Sequence, residues 1–130
     1  LASNGIPNDV EAFLIDHIDS IDVLEVLLFL FQHPSDRWTA LQIARELRIN
    51  EAQAARRLEQ LTHDQLTDRD ASASEPAYSF EPADSTVIET IRRLDQVYRE
   101  RRVGVITLIF SKPSDKIRTF ADAFKFWREK

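Results

Sequence analysis

The sequence has no cysteine, no methionine and only two glycines, Gly5 and Gly104, in 130 residues. Without cysteine, a disulfide scaffold, thiolate catalysis and every Cys-ligated zinc or iron–sulfur site are excluded. Two isolated glycines leave no glycine-rich loop to cradle a phosphate. No apolar run reaches the ~18 residues that a membrane span needs. The longest, Val26 to Phe31 and Val103 to Phe110, suit core helices. No basic stretch followed by an apolar one marks an export signal, and the start at Leu1 is expected to be a processed or trimmed one.

An excess of positive charge is missing too. The net charge is −5, and residues 1–35 carry six acids with no Lys or Arg. Residues 36–70 set six arginines against seven acids, and residues 71–130 set eleven basic residues against nine acidic ones. A strongly basic chain would point directly to nucleic acid. Here a nucleic-acid reading must rest on a local arginine cluster, while the acidic start favours a protein partner.

What is present is enough for a core: 43% hydrophobic residues against 30% charged, in a length typical of one domain. Residues 1–8, with Gly5 and Pro7, read as a flexible lead-in. From Asp9, the residues Val10, Phe13, Leu14 and Ile18 fall on one helical face. Asp19 or Ser20 caps a second helix, Ile21 to Gln32, apolar nearly all round and therefore central to the core. Ser35 to Thr39 reads as a turn. Thr39 caps a helix over Ala40–Leu47, and Asn50 caps the next, from Glu51 to about Thr62, with Gln53 as its capping-box partner. Ala54, Leu58 and Leu61 face inward on that helix, whereas Gln53, Arg56, Arg57 and Gln60 face away.

Leu66 to Arg69 and Tyr78 to Phe80 read as two strands of a hairpin around the small polar loop Ala71–Pro76. Pro82-Ala83-Asp84 opens a long helix capped by Asp84 or Ser85. Its residues Val87, Ile91, Leu94, Tyr98, Arg101, Val105 and Leu108 keep heptad spacing. If helical to Phe110 it spans ~40 Å. Ser111-Lys112-Pro113 breaks it, and Ser114 caps a last helix with Ile117, Phe120, Phe124 and Trp127 on one stripe.

Few residues suggest chemistry. Asp16, Asp19 and Asp22, beside His17, offer too few converging ligands for a divalent metal and read as helix-end and solvated charges. His17, His33 and His63 have no i, i+4 pair. No catalysis, metal or cofactor is expected. Arg92, Arg93, Arg99, Arg101 and Arg102 read first as a solvated helix face. A stripe facing phosphate or an acidic partner, or pairing with the acidic N-terminal helix, are the other readings.

The run Trp38-Thr39-Ala40-Leu41-Gln42-Ile43-Ala44-Arg45-Glu46-Leu47-Arg48-Ile49-Asn50, continued by Glu51 to Leu61 and by Leu66-Thr67, resembles the helix-turn-helix and wing of bacterial winged-helix regulators. It is similar to the MarR-like and ArsR-like classes in general, over roughly residues 20–82. Ala44 stands where such proteins pack a small residue between helices, and Asn50 at the usual polar cap. Arg48 and Gln65 stand where the pattern normally has Gly, which accepts positive φ without strain. The wing departs as well, because Asp68, Asp70 and Glu75 surround its single Arg69.

The resemblance implies a mostly α fold with a small β-hairpin: a winged helix-turn-helix over residues 9–82 with additional N- and C-terminal helices, the latter an extension over 83–130. It implies a cytoplasmic DNA-binding transcriptional regulator. Thr39, Asn50, Glu51, Gln53, Arg56, Arg57 and Arg69 would meet DNA, with Arg pairing to guanine and Asn or Gln to adenine. A homodimer would form through Ile91, Leu94, Tyr98, Val105, Leu108, Phe120, Phe124 and Trp127 and would present two recognition helices. The alternative is a winged helix used as a protein–protein interaction module without DNA binding, engaging its partner through the acidic N-terminal helices.

Overall fold

Among the described residues the elements run α1 (Asn8–His17), α2 (Ile21–Gln32), β1 (Trp38–Thr39), α3 (Ala40–Leu47), α4 (Glu51–His63), β2 (Thr67–Asp70), β3 (Ala77–Phe80), α5 (Thr86–Glu100) and α6 (Arg102–Ser111). The structure, a computed structural model, describes residues 5–72 and 74–111. Phe120, Phe124 and Trp127, expected at a dimer interface, lie outside the described residues.

Helix starts follow their capping residues. The Ser20 hydroxyl accepts from Val23 N at 3.3 Å at the head of α2. Thr39 and Gln42 form a full capping box on α3, the Thr39 hydroxyl accepting from Gln42 N and the Gln42 side chain accepting from Thr39 N. Asn50 Oδ1 accepts from Ala52 N and Gln53 N on α4. Each such cap is worth about 1 kcal/mol. At α5 it is Asp84 that acts, accepting from Thr86 N at 2.9 Å and from the Thr86 hydroxyl at 2.7 Å.

The core is one continuous cluster centred on α2, where Val23, Leu24, Val26, Leu27 and Leu30 are fully buried. Ile43 from α3, Ala54, Leu58 and Leu61 from α4, and Leu14 from α1 close on it. At roughly 1.5–3 kcal/mol per fully buried aliphatic side chain, this cluster is the main stabilising term. Among the described residues no helix is long and apolar enough to cross a membrane.

Four expectations are corrected. First, residues 5–8 are not a loose lead-in: Ile6 is fully buried in the core. Gly5, at φ +73°, lies so close to the Arg101 guanidinium that a Cβ there would come within 2.8 Å of it. Second, Trp38–Thr39 is not a turn but a third strand. The sheet order is β1-β3-β2, all antiparallel, with Trp38 opposite Tyr78 and Arg69 also opposite Tyr78 from the other side. Third, the long helix stops at Arg101 (φ −134°, ψ 50°), and α6 starts afresh. Gly104 and the β-branched Val103, Val105 and Ile106 are poor helix formers at this break.

Fourth, α5 and α6 belong to the same core as the winged helix rather than extending from it. Ile91, Leu94 and Val105 are fully buried and Tyr98 nearly so, which removes them from any interface with a second copy. Leu108 is only partly buried, and Val103 and Phe110 are exposed. Asp95 is the buried polar anchor of α5: its carboxylate accepts from Gln32 Nε2 of α2 and from Arg99, each at 2.9 Å. Tyr98 is pushed up in pKa by burial and by Glu25, with Arg102 partly offsetting this.

Candidate nucleic-acid interface

Helix α4 presents three different sides. Ala54, Leu58 and Leu61 face the core. A second side is tied to α1, α2 and the segment between them by three side-chain hydrogen bonds. Gln53 Nε2 donates to Asp22 Oδ2, and Gln60 Nε2 donates to Asp19 Oδ1 at 3.3 Å. His17 Nδ1 donates to Asp64 at 3.1 Å, joining the end of α1 to the end of α4. The acidic run that looked like solvated charge therefore includes the residues that hold this helix in place. Arg57 shares this side, half-buried, with its Nε buried and unpartnered.

The third side is open. Ala52, Arg56, Glu59 and His63 are exposed, and Ala55 is half-buried beside them. With 3.6 residues per turn, residues 52, 56, 59 and 63 lie opposite the buried stripe. Exposed Arg45 and Arg48 stand on α3 and in the turn after it. That turn is made by Arg48 itself, left-handed at φ 57° and ψ 47°, and Gln65 repeats the conformation at φ 63° before the wing. The two positions that lack glycine thus keep the geometry that glycine normally supplies, at a strain cost of order 1–2 kcal/mol each.

Between α4 and the wing runs a groove of about 200 Å³ lined by Thr39, Glu51, Ala55, Glu59, Arg69 and Glu75, among others. Three carboxylates thus face one guanidinium. The wing acids Asp68 and Asp70 are partly balanced from outside the hairpin. Arg37, just before β1, lies 3.5 Å from Asp68 and 3.9 Å from Asp70. The Ser72 side chain and backbone N–H hold the Asp70 carboxyl below its ordinary pKa, and Arg37 adds to this. Arg37 is missed because its pairing depends on β1 joining the sheet, and a two-residue strand leaves no periodic signal.

The expected DNA-facing residues separate accordingly. Arg56 is exposed on the open side, and Glu51 and Arg69 are exposed at the groove. Thr39 lines the groove with its hydroxyl oxygen occupied by the α3 cap. Asn50 is exposed, but its Oδ1 is taken by two backbone N–H groups, so it retains only its amide donors. A bidentate pair with adenine needs donor and acceptor together. Gln53 and Arg57 are half-buried beside the open side, Gln53 donating to Asp22 of α2 and Arg57 with its Nε buried. Gln53 binds Asp22 rather than returning to the Asn50 N–H as a capping-box partner. Glu59 stands on the open side without an ion-pair partner among the described residues.

No protein-family model matches the chain, and no curated protein matches it. Solved structures do. MepR of Staphylococcus aureus, as a single-residue variant bound to an oligodeoxyribonucleotide, aligns with a TM-score of 0.54 and 17% identity, over 92% of this chain and 86% of that one. A variant of MarR from E. coli aligns at 0.53 and 13%, over 89% and 82%. A variant of ZitR from Lactococcus lactis aligns at 0.52 and 12%, over 85% and 73%. MepR is a transcription regulator of the multidrug efflux pump MepA. The chain shares the winged-helix fold of these proteins along most of their length.

Proposed function

We propose that this chain is a DNA-binding transcriptional regulator of the MarR-like class, acting as a homodimer on DNA in the cytoplasm. The observation that carries the reading is the open side of α4, with Arg56 exposed at its centre and Arg69 exposed on the wing beside it. The fold in which they sit is one that MepR presents to an oligodeoxyribonucleotide. Helix α4 enters the major groove, Arg69 meets the phosphate backbone, and Arg37 lowers the repulsion from Asp68 and Asp70. The dimer draws on the exposed α6 residues Val103 and Phe110, each 77% exposed, because apolar side chains left open on a helix favour association.

A mobility-shift assay on fragmented genomic DNA tests this. Retarded fragments that survive competitor DNA support a regulator. Failure to retard any fragment at low salt overturns it in favour of the protein-interaction module. Sedimentation equilibrium of the wild type and of Phe110→Ser tests the dimer, which the substitution should weaken.

A further inference from the structure

Arg56 and Glu59 stand three residues apart on the open side of α4, both exposed, and neither has an ion-pair partner among the described residues. A rise of ~1.5 Å per residue separates them by ~4.5 Å along the helix axis, close to the ~3.4 Å step between base pairs. Ala52 and Ala55 neighbour them. With nothing beyond Cβ, these alanines let the helix approach the floor of a groove closely.

In the major groove a guanidinium pairs with guanine O6 and N7, whereas a carboxylate can only accept. Guanine and thymine present that carboxylate with acceptors. Adenine offers an amino group, but beside the repelling N7. Cytosine N4 offers a donor with no acceptor next to it on the same base. A glutamate on this face therefore discriminates chiefly by rejecting the other bases. Near phosphates it is otherwise unfavourable, so a cytosine at that position is what offsets its repulsion.

We infer, resting on the DNA-binding reading, that Arg56 and Glu59 are the specificity-determining pair. The half-site they read contains two successive G·C pairs, guanine toward Arg56 and cytosine toward Glu59. Gln53, the residue best suited to adenine, is withdrawn from the reading face by Asp22.

The test is selection of binding sites from a random duplex pool by the full chain, followed by anisotropy titrations with wild type, Arg56→Ala and Glu59→Gln. Both residues are exposed, so circular dichroism of the variants should match the wild type. The selected sites should contain the G·C step. Thymine in place of the cytosine should weaken wild-type binding roughly 5- to 150-fold. Glu59→Gln should lose that discrimination at its own base pair alone, and Arg56→Ala should lose the guanine preference. Salt-dependent binding to random duplex without selection of a G·C step, or an unchanged cytosine preference in Glu59→Gln, overturns the inference and leaves the DNA-binding reading intact. No binding to any duplex at low salt removes both.

Discussion

Asp22 on α2 accepts the side-chain amide of Gln53 on α4, and this one hydrogen bond takes the most adenine-competent residue of the helix away from its open side. Gln53→Ala should therefore leave duplex affinity within about threefold of wild type while costing roughly 0.5–1.5 kcal/mol of stability, the usual net worth of a hydrogen bond. Parallel anisotropy and urea titrations check this. A large loss of DNA affinity with unchanged stability would put Gln53 back among the reading residues.

Arg48 holds a left-handed conformation between α3 and α4. Arg48→Gly removes that strain but frees the unfolded chain, so the net gain should be about 0.5–1 kcal/mol. The urea midpoint should rise with an unchanged slope. Gln65→Gly should behave alike, since it shares the positive φ.

Asp95 is buried and accepts from both Gln32 and Arg99. Asp95→Ala leaves the Gln32 amide without its acceptor and opens a gap between α2 and α5. Stability should fall by roughly 1–3 kcal/mol, read from chemical denaturation.

Acid should loosen the junction of α1 with α5. The Arg93 guanidinium hydrogen-bonded to Asp9 holds that carboxyl below its ordinary value of 3.8. Burial opposes the shift, while the charge of Arg93, the Val10 N–H and the Thr90 hydroxyl reinforce it. A depressed folded-state pKa contributes stability that is present above 3.8 and lost as pH falls through the folded value. Wild type should melt above Asp9→Asn near neutral pH, and the gap should close on acidification below that range. A gap that persists in acid would rule out this linkage.

Much of this architecture is legible in the chain. The bounds of α2, α3 and α4 follow from Ser20, Thr39 and Asn50, because a capping side chain placed before an apolar stripe is a local signal. The hairpin is equally local. What stays hidden depends on partners far apart in sequence. Trp38–Thr39 becomes a strand only because β3 arrives beside it. The heptad-spaced Ile91, Leu94 and Val105 look like a dimer seam, yet they are covered by this chain's own helices. Periodicity identifies an apolar face without identifying what covers it. At the candidate interface, Arg56, Glu51 and Arg69 could be placed from helical phase and the wing position. The withdrawal of Gln53 and the service of Arg37 at the wing could not, since both rest on tertiary contacts.

On the proposed function, the open side of α4 meets DNA through Arg56. Fluorescence anisotropy of a labelled random-sequence duplex, titrated across salt with wild type and Arg56→Ala, tests it most directly. Wild type should bind with a Kd of roughly 10⁻⁴ to 10⁻⁶ M near physiological salt, tightening as salt falls with a slope of about −0.9 per phosphate neutralised. Arg56→Ala should bind more weakly throughout. Equal binding by the two proteins, or none by either at low salt, would contradict it.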